Sequence, residues 1–185
     1  RRLLGKLTRR VRNGRMTDDG ATVPVIETFA GERFLFFHGG HINRQFSNFC
    51  PCVMPSGFTS AEQYFMFKKA LFFGDHRTAT KIANADTPFT AKGLGRTVKP
   101  YDDRRWRSVR VGIMIDVVRH KIRLNPALFG PASQYEGVTF AEAAPFDRVW
   151  GIGMNGSDPN RFDKTRWGEN LLGNIYTEIL GTRVL

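Results

Sequence analysis

Cysteine is nearly absent: Cys50 and Cys52 are the only two in 185 residues. Two are too few for a disulfide framework, and without further ligands nearby they do not complete a tetrahedral zinc site. The expectation is a reducing, intracellular setting, cytoplasmic or nuclear, with no metal and no other cofactor. Long apolar runs are also missing, and the charged N-terminus leads into no hydrophobic signal segment, so a soluble chain with no membrane partner is expected. Acidic residues are few, 17 against 28 Lys and Arg, giving a net charge of +11. Seven of the basic residues (Arg1, Arg2, Lys6, Arg9, Arg10, Arg12, Arg15) stand in residues 1–15 with no acid, so residues 16–185 carry only +4. Phosphate contact, targeting and plain solvation are all open to such a tail.

What remains suffices for one sizeable core, with 41% hydrophobic and 12% aromatic residues. Residues 1–30 read as a flexible basic extension and 31–185 as one domain; nothing in the chain sets its oligomeric state. The fold class expected is α+β, mostly helical, a single compact domain with a small sheet.

The central stretch runs from Thr59 to Gly74, TSAEQYFMFKKALFFG. Thr59 and Glu62 have the spacing of a capping box, so a helix starts there. Its body is apolar nearly all round, which predicts a core helix. Glu62 and Lys69, seven residues apart, then share one face at about 3.6 residues per turn. Cap and solvent-seeking lysine is the ordinary reading of the two; an ionisable pair on a buried surface is the functional one.

Glu32 to His38 reads as a buried strand, followed by a Gly-rich polar loop and Phe46-Ser47-Asn48-Phe49. Asn48 can hold sugar hydroxyls or a base edge, or form a turn before Pro51. Asp75 caps a second helix, Pro88 opens a third that ends at Gly95 and Arg96, and Asp102 starts the longest, to about Leu124. On that helix Trp106, Val109, Ile113 and Val117, with Met114 and Ile122, form the apolar side. Val138 to Ala143 alternates like a half-buried strand, and a further strand is expected at once over Ala144 to Gly153. Asn170 caps a closing helix to about Leu180, or its free N–H groups seat an anion. Gly151 to Gly156 spells G-x-G-x-x-G but runs into no helix, which excludes a dinucleotide site.

Four of these stretches, SAEQYFMFKKAL, FSNF, the Asp-x-x-Trp-Gly-x-Gly run from Asp147 to Gly153, and Trp167 to Gly173, resemble the NADAR family of YbiA-like N-glycosidases, over about Phe34 to Leu180. Gln63, where the family often has His, and Phe67 depart from its pattern. The resemblance implies hydrolysis of an exocyclic ribosylamine: ADP-ribose on guanine, in nucleotides or nucleic acid, or a ribosylamino-pyrimidine phosphate of riboflavin synthesis. It implies Glu62, Lys69 and Asp147 as catalytic residues. Asn48, Phe49, Arg96, Trp106, Arg148, Trp150, Gly151, Gly153 and Asn170 are its implied substrate contacts, with Trp106 stacking, Arg96 holding phosphate and the glycines letting a ligand approach the backbone. An ADP-ribose or nucleic-acid reader without turnover is the alternative, but three ionisable groups in one aromatic pocket exceed what a reader needs.

Overall fold

The structure, a computed structural model, describes residues 23–39 and 42–182; the basic tail lies outside them. The chain divides into two compact units. One is helical, Asn48–Pro126; the other is formed by the described residues up to Ser47 and from Ala127 onward.

In the helical unit, α1 (Ala61–Phe72) begins one residue later than the capping-box reading placed it. Ser60 is the cap: its hydroxyl accepts from Gln63 N at 3.2 Å. Gln63 Oε1 answers by accepting from Thr59 N at 3.2 Å, while its Nε2 donates to the carbonyls of Ile82, Ala83 and Ala85. Only an amide can accept at a helix start and donate across to the next helix, so Gln63 takes the task expected of Glu62. Nor is α1 apolar-buried all round. Ala61, Glu62, Gln63, Phe65 and Ala70 are buried, whereas Leu71 is 40% exposed.

Helices α2 (His76–Ala83), α3 (Pro88–Gly95) and α4 (Asp103–Leu124) follow the expected caps. Asp75 Oδ1 accepts from Thr78 N at 2.9 Å, Thr87 Oγ1 from Thr90 N at 3.0 Å, and Asp102 Oδ1 from Arg105 N at 2.8 Å. α1 packs against all three. A side chain at Gly95 would run into Met66, so glycine there is what lets α3 lie close on α1. On α4 the buried stripe is Trp106, Met114, Val117, Val118 and Lys121. Val109, Ile113 and Ile122, expected on it, are only half-buried.

The second unit is built on a three-stranded sheet in the order β1 (Glu27–Phe29), β2 (Glu32–Phe37), β3 (Val138–Glu142). β1 and β2 form a hairpin across Ala30 and Gly31, both at positive φ (51° and 85°), the two-residue turn whose twist suits adjoining antiparallel strands. β2 and β3 are parallel, with Leu35 opposite Phe140, and the helical unit is the excursion in the chain between them. Phe34 to Phe37 are buried on both faces, as a strand covered on two sides requires. Phe34 and Phe36 pack on Phe162 and Trp167, while Phe37 meets the rings of Phe46 and Tyr176, with Phe129 from α5 (Pro126–Phe129), Tyr135 and Phe140 around Phe46.

The further strand expected over Ala144 to Gly153 is a series of turns instead. Pro145 has no N–H for a ladder, and Asp147 Oδ1 captures the N–H groups of Val149 and Trp150 at 2.9 and 2.8 Å. The closing helix α6 (Leu171–Tyr176) widens into a looser turn, Thr177–Gly181. The α+β class with a small sheet is as expected.

Candidate functional site

The helical unit holds Glu62, Lys69, Asn48, Phe49, Arg96 and Trp106. With Gln63 closing the cap, Glu62 is released from that duty, yet it is 5% exposed. Its backbone N–H donates to Asn48 O at 2.9 Å, which joins the FSNF turn to the first turn of α1. Asn48 is itself 6% exposed; its Nδ2 makes a long contact of 3.5 Å to Met114 Sδ, and its Oδ1 is buried with no donor. A buried carbonyl left without a donor costs about 1–3 kcal/mol, and such atoms in folded proteins call for a water or a ligand.

Lys69 is half-buried in a defined frame. Its Nζ donates to Gly95 O at 2.9 Å and lies 4.6 Å from the centre of the Tyr101 ring and 5.6 Å from that of Trp106. Burial pulls its pKa below the ordinary lysine value, with the Asp103 carboxylate pulling the other way. Trp106 is a core residue, 6% exposed, packed on Phe65, Phe72 and Phe73. The open stacking face expected of it is absent, and its ring serves Lys69. Arg96 is exposed at the end of α3, one residue past the carbonyl that holds Lys69. The Phe49 ring is half-buried under Lys92, 5.3 Å away.

In the sheet unit the expected residues are engaged locally. Asp147 fastens its own turn through Oδ1. Arg148 is exposed, and its Nη2 donates to the carbonyls of Arg166 and Trp167 at 3.3 and 3.2 Å. A Cβ on Gly151 would stand 2.6 Å from Glu142 O, and one on Gly153, at φ +72°, 2.6 Å from Arg148 Cγ. Both glycines admit close protein neighbours. Asn170 corrects two readings at once. It adopts φ 50° and makes no cap; Oδ1 accepts from Glu142 N at 3.1 Å and Nδ2 donates to Phe140 O at 2.9 Å, tying α6 to β3. The N–H groups of Leu171 and Leu172 donate to Val149 O and Trp150 O, so the expected anion seat is filled by backbone. Trp150 is half-buried at the end of the Asp147 turn.

Two residues escaped the sequence reading. Lys121 is 0% exposed, and its place four residues after Val117 on the buried stripe was the available signal. Gln45 is 2% exposed with both amide atoms lacking partners, inside a loop whose polarity argued for solvent. Among the described residues, no group of three or more His, Cys, Asp or Glu is placed to hold a metal, and no helix is long and apolar enough to cross a membrane. Cys50 and Cys52 are free thiols, and burial pushes that of Cys52 up.

Residues 35–180, spanning both units, match the model of the NADAR domain family. The chain is 31% identical over 161 residues to N-glycosidase R617 of Acanthamoeba polyphaga mimivirus, covering 80% of this chain and 95% of that protein. It is 31% identical to Protein irg-1 of Caenorhabditis elegans (66% of this chain, 59% of that one) and 28% identical to a riboflavin biosynthesis protein of Vibrio vulnificus (72% and 36%). Among solved structures it resembles the NMR structure of the E. coli protein YbiA, with a TM-score of 0.60 over 78% of this chain and 81% of that one, at 22% identity.

Proposed function

The chain belongs to the NADAR domain family and is an N-glycosidase, and we propose that its substrate is ADP-ribose joined to the exocyclic amine of guanine, in a nucleotide or in nucleic acid. The observation that supports a reactive site is the buried Glu62 beside Asn48, whose amide oxygen is buried without a donor. A sugar hydroxyl or a base amine is a fitting donor for that oxygen. Lys69, framed by two rings and a carbonyl, is the second group, and Asp147 is proposed as the second carboxylate. Arg96 is assigned to the diphosphate. Phe49, Arg148 and Trp150 are proposed as further substrate contacts.

Two routes break the same bond. In the first, one carboxylic acid gives its proton to the departing amine as the C1′–N bond opens, and the other carboxylate takes a proton from the water that adds at C1′. In the second, the ribosylamine opens to an imine and neutral Lys69 adds to C1′. The guanine amine leaves with a proton, and water hydrolyses the Lys69 imine to the aldehyde, which closes to ribose. The lowered pKa of Lys69 favours the second by enlarging its neutral fraction.

The test is release of free ADP-ribose from ADP-ribosyl-guanine by the intact chain and by Glu62→Ala, Asp147→Ala and Lys69→Arg variants. Release by the parent and its loss in all three supports the reading, and borohydride trapping of a sugar adduct on Lys69 selects the covalent route. Rate then rises with pH through the Lys69 pKa, since the neutral amine is the nucleophile; a rate that falls there makes Lys69 an ammonium holder. The name of the Vibrio relative favours a second reading, a ribosylamino-pyrimidine phosphate substrate, and turnover of that compound alone would replace the first.

A further inference from the structure

We propose that one face of the helical unit, made by α3, the loop after it and the first turns of α4, is a track for the backbone and bases of single-stranded nucleic acid. Charge draws attention to it. Residues 48–126 hold fourteen Lys and Arg against six Asp and Glu, whereas residues 127–185 hold five against seven. Within 92–110 the count is seven against two, and both acids, Asp102 and Asp103, are engaged in holding the face together. Asp102 caps α4; Asp103 takes Arg107 at 2.7 Å and the Tyr101 hydroxyl at 2.9 Å.

Contacts join the loop after α3 and the start of α4 to α1. Lys69 reaches Gly95 at the end of α3 and lies against Tyr101 and Trp106; Tyr101 packs on Phe73 at 5.3 Å. Arg105 covers Phe72 and Phe73 at 5.4 and 5.8 Å. On α3, Phe89, Lys92 and Arg96 follow at three- and four-residue steps and so line one ridge about 10 Å long. Phe89 is 78% exposed and Tyr101 46%, so aromatic rings stand open between cations.

That alternation selects the partner. Cations meet phosphates of any nucleic acid, but a duplex keeps its base faces stacked inside, leaving exposed rings nothing to stack on. A single strand offers phosphates and bare base faces in turn. The track includes Lys69, so a strand lying on it passes the proposed reactive amine. The inference rests on the guanine reading only in naming what the strand carries.

The test uses the intact chain and a labelled oligothymidylate of about a dozen residues, which contains no guanine and is no substrate, so failure of strand binding is distinct from failure of hydrolysis. Fluorescence anisotropy across a salt series is expected to give a log–log slope of about −3, near 0.7 per phosphate contacted. A Lys92→Gln, Arg96→Gln, Arg105→Gln variant with an unchanged Tm is expected to lose about 2 from that slope, near 0.7 per cation removed, and at least tenfold in affinity. Tyr101→Ala is expected to weaken binding roughly fivefold or more, and Tyr101→Phe to restore it, because the ring and not the hydroxyl stacks. Binding that survives the triple variant intact, that is tighter for a duplex, or that occurs on phosphatidylserine vesicles but not on oligothymidylate overturns the proposal.

Discussion

The helical and sheet units use polar residues in opposite ways. In the helical unit, Gln63 closes the start of α1, Asn48 Oδ1 is buried with no donor, and half-buried Lys69 is held by a carbonyl and two rings. In the sheet unit the motif residues hold backbone. Asp147 fixes a turn, Arg148 binds two carbonyls, and Asn170 ties a helix to a strand. One motif of this domain thus leaves a buried amide oxygen without a donor, while another commits a carboxylate oxygen to backbone.

Breaking that contrast should give effects of different size and kind. Glu62→Gln keeps shape and removes the proton; kcat/KM is expected to fall roughly 10²–10⁴-fold with little change in Tm, and a large loss of stability instead would make Glu62 structural. Asn170→Ala is expected to cost about 2–4 kcal/mol, since it removes two buried hydrogen bonds and strains a residue at φ 50°. Tm should drop by roughly 2–4 °C per kcal/mol. Asn170→Gly, which relieves the strain but not the lost bonds, should recover only part of it.

Asp147 stands where the contrast is sharpest. Asp147→Ala is expected to lower stability by about 1–2 kcal/mol by freeing two backbone N–H groups, while Asp147→Asn retains an acceptor oxygen and the turn. Activity lost in Asp147→Asn despite intact stability shows a chemical role for the carboxylate; activity retained there leaves Asp147 a turn residue. The smallest effect is expected at Asp75, whose carboxyl is held below its ordinary pKa of 3.8, first by the N–H of Lys99 and then by that of Thr78. A depressed folded pKa contributes stability above the unfolded value that is lost as pH falls through the folded one. The Tm gap between parent and Asp75→Asn should therefore close below pH 3.8, as thermal melts across pH 2–6 would show.

Much of this was legible in residue order. The caps at Asp75, Thr87 and Asp102, the Pro88 start and the strands at Glu32 and Val138 are local signals, decided by hydrogen bonds within a few residues and by apolar periodicity. The family, too, could be read, because its motifs are contiguous. The strand misread over Ala144 to Gly153 has a local cause in Pro145 and Asp147, whereas the misread caps share a distant one. Whether Thr59 or Ser60 caps α1 depends on Gln63 reaching the end of α2, some twenty residues on; whether Asn170 caps or pins depends on β3, about thirty residues back. Trp106 was placed by periodicity on α4 and Lys121 was not, because how deeply each sits depends on what packs over it.

The sequence by itself determined the α+β class, the helix starts with near-local caps, the family and the surplus of positive charge. The tertiary structure alone decided which polar atoms are committed. Whether an amide or carboxylate serves backbone or remains available for a ligand depends on partners distant in the chain, and a buried polar atom is satisfied by whichever donor or acceptor the fold brings within about 3 Å.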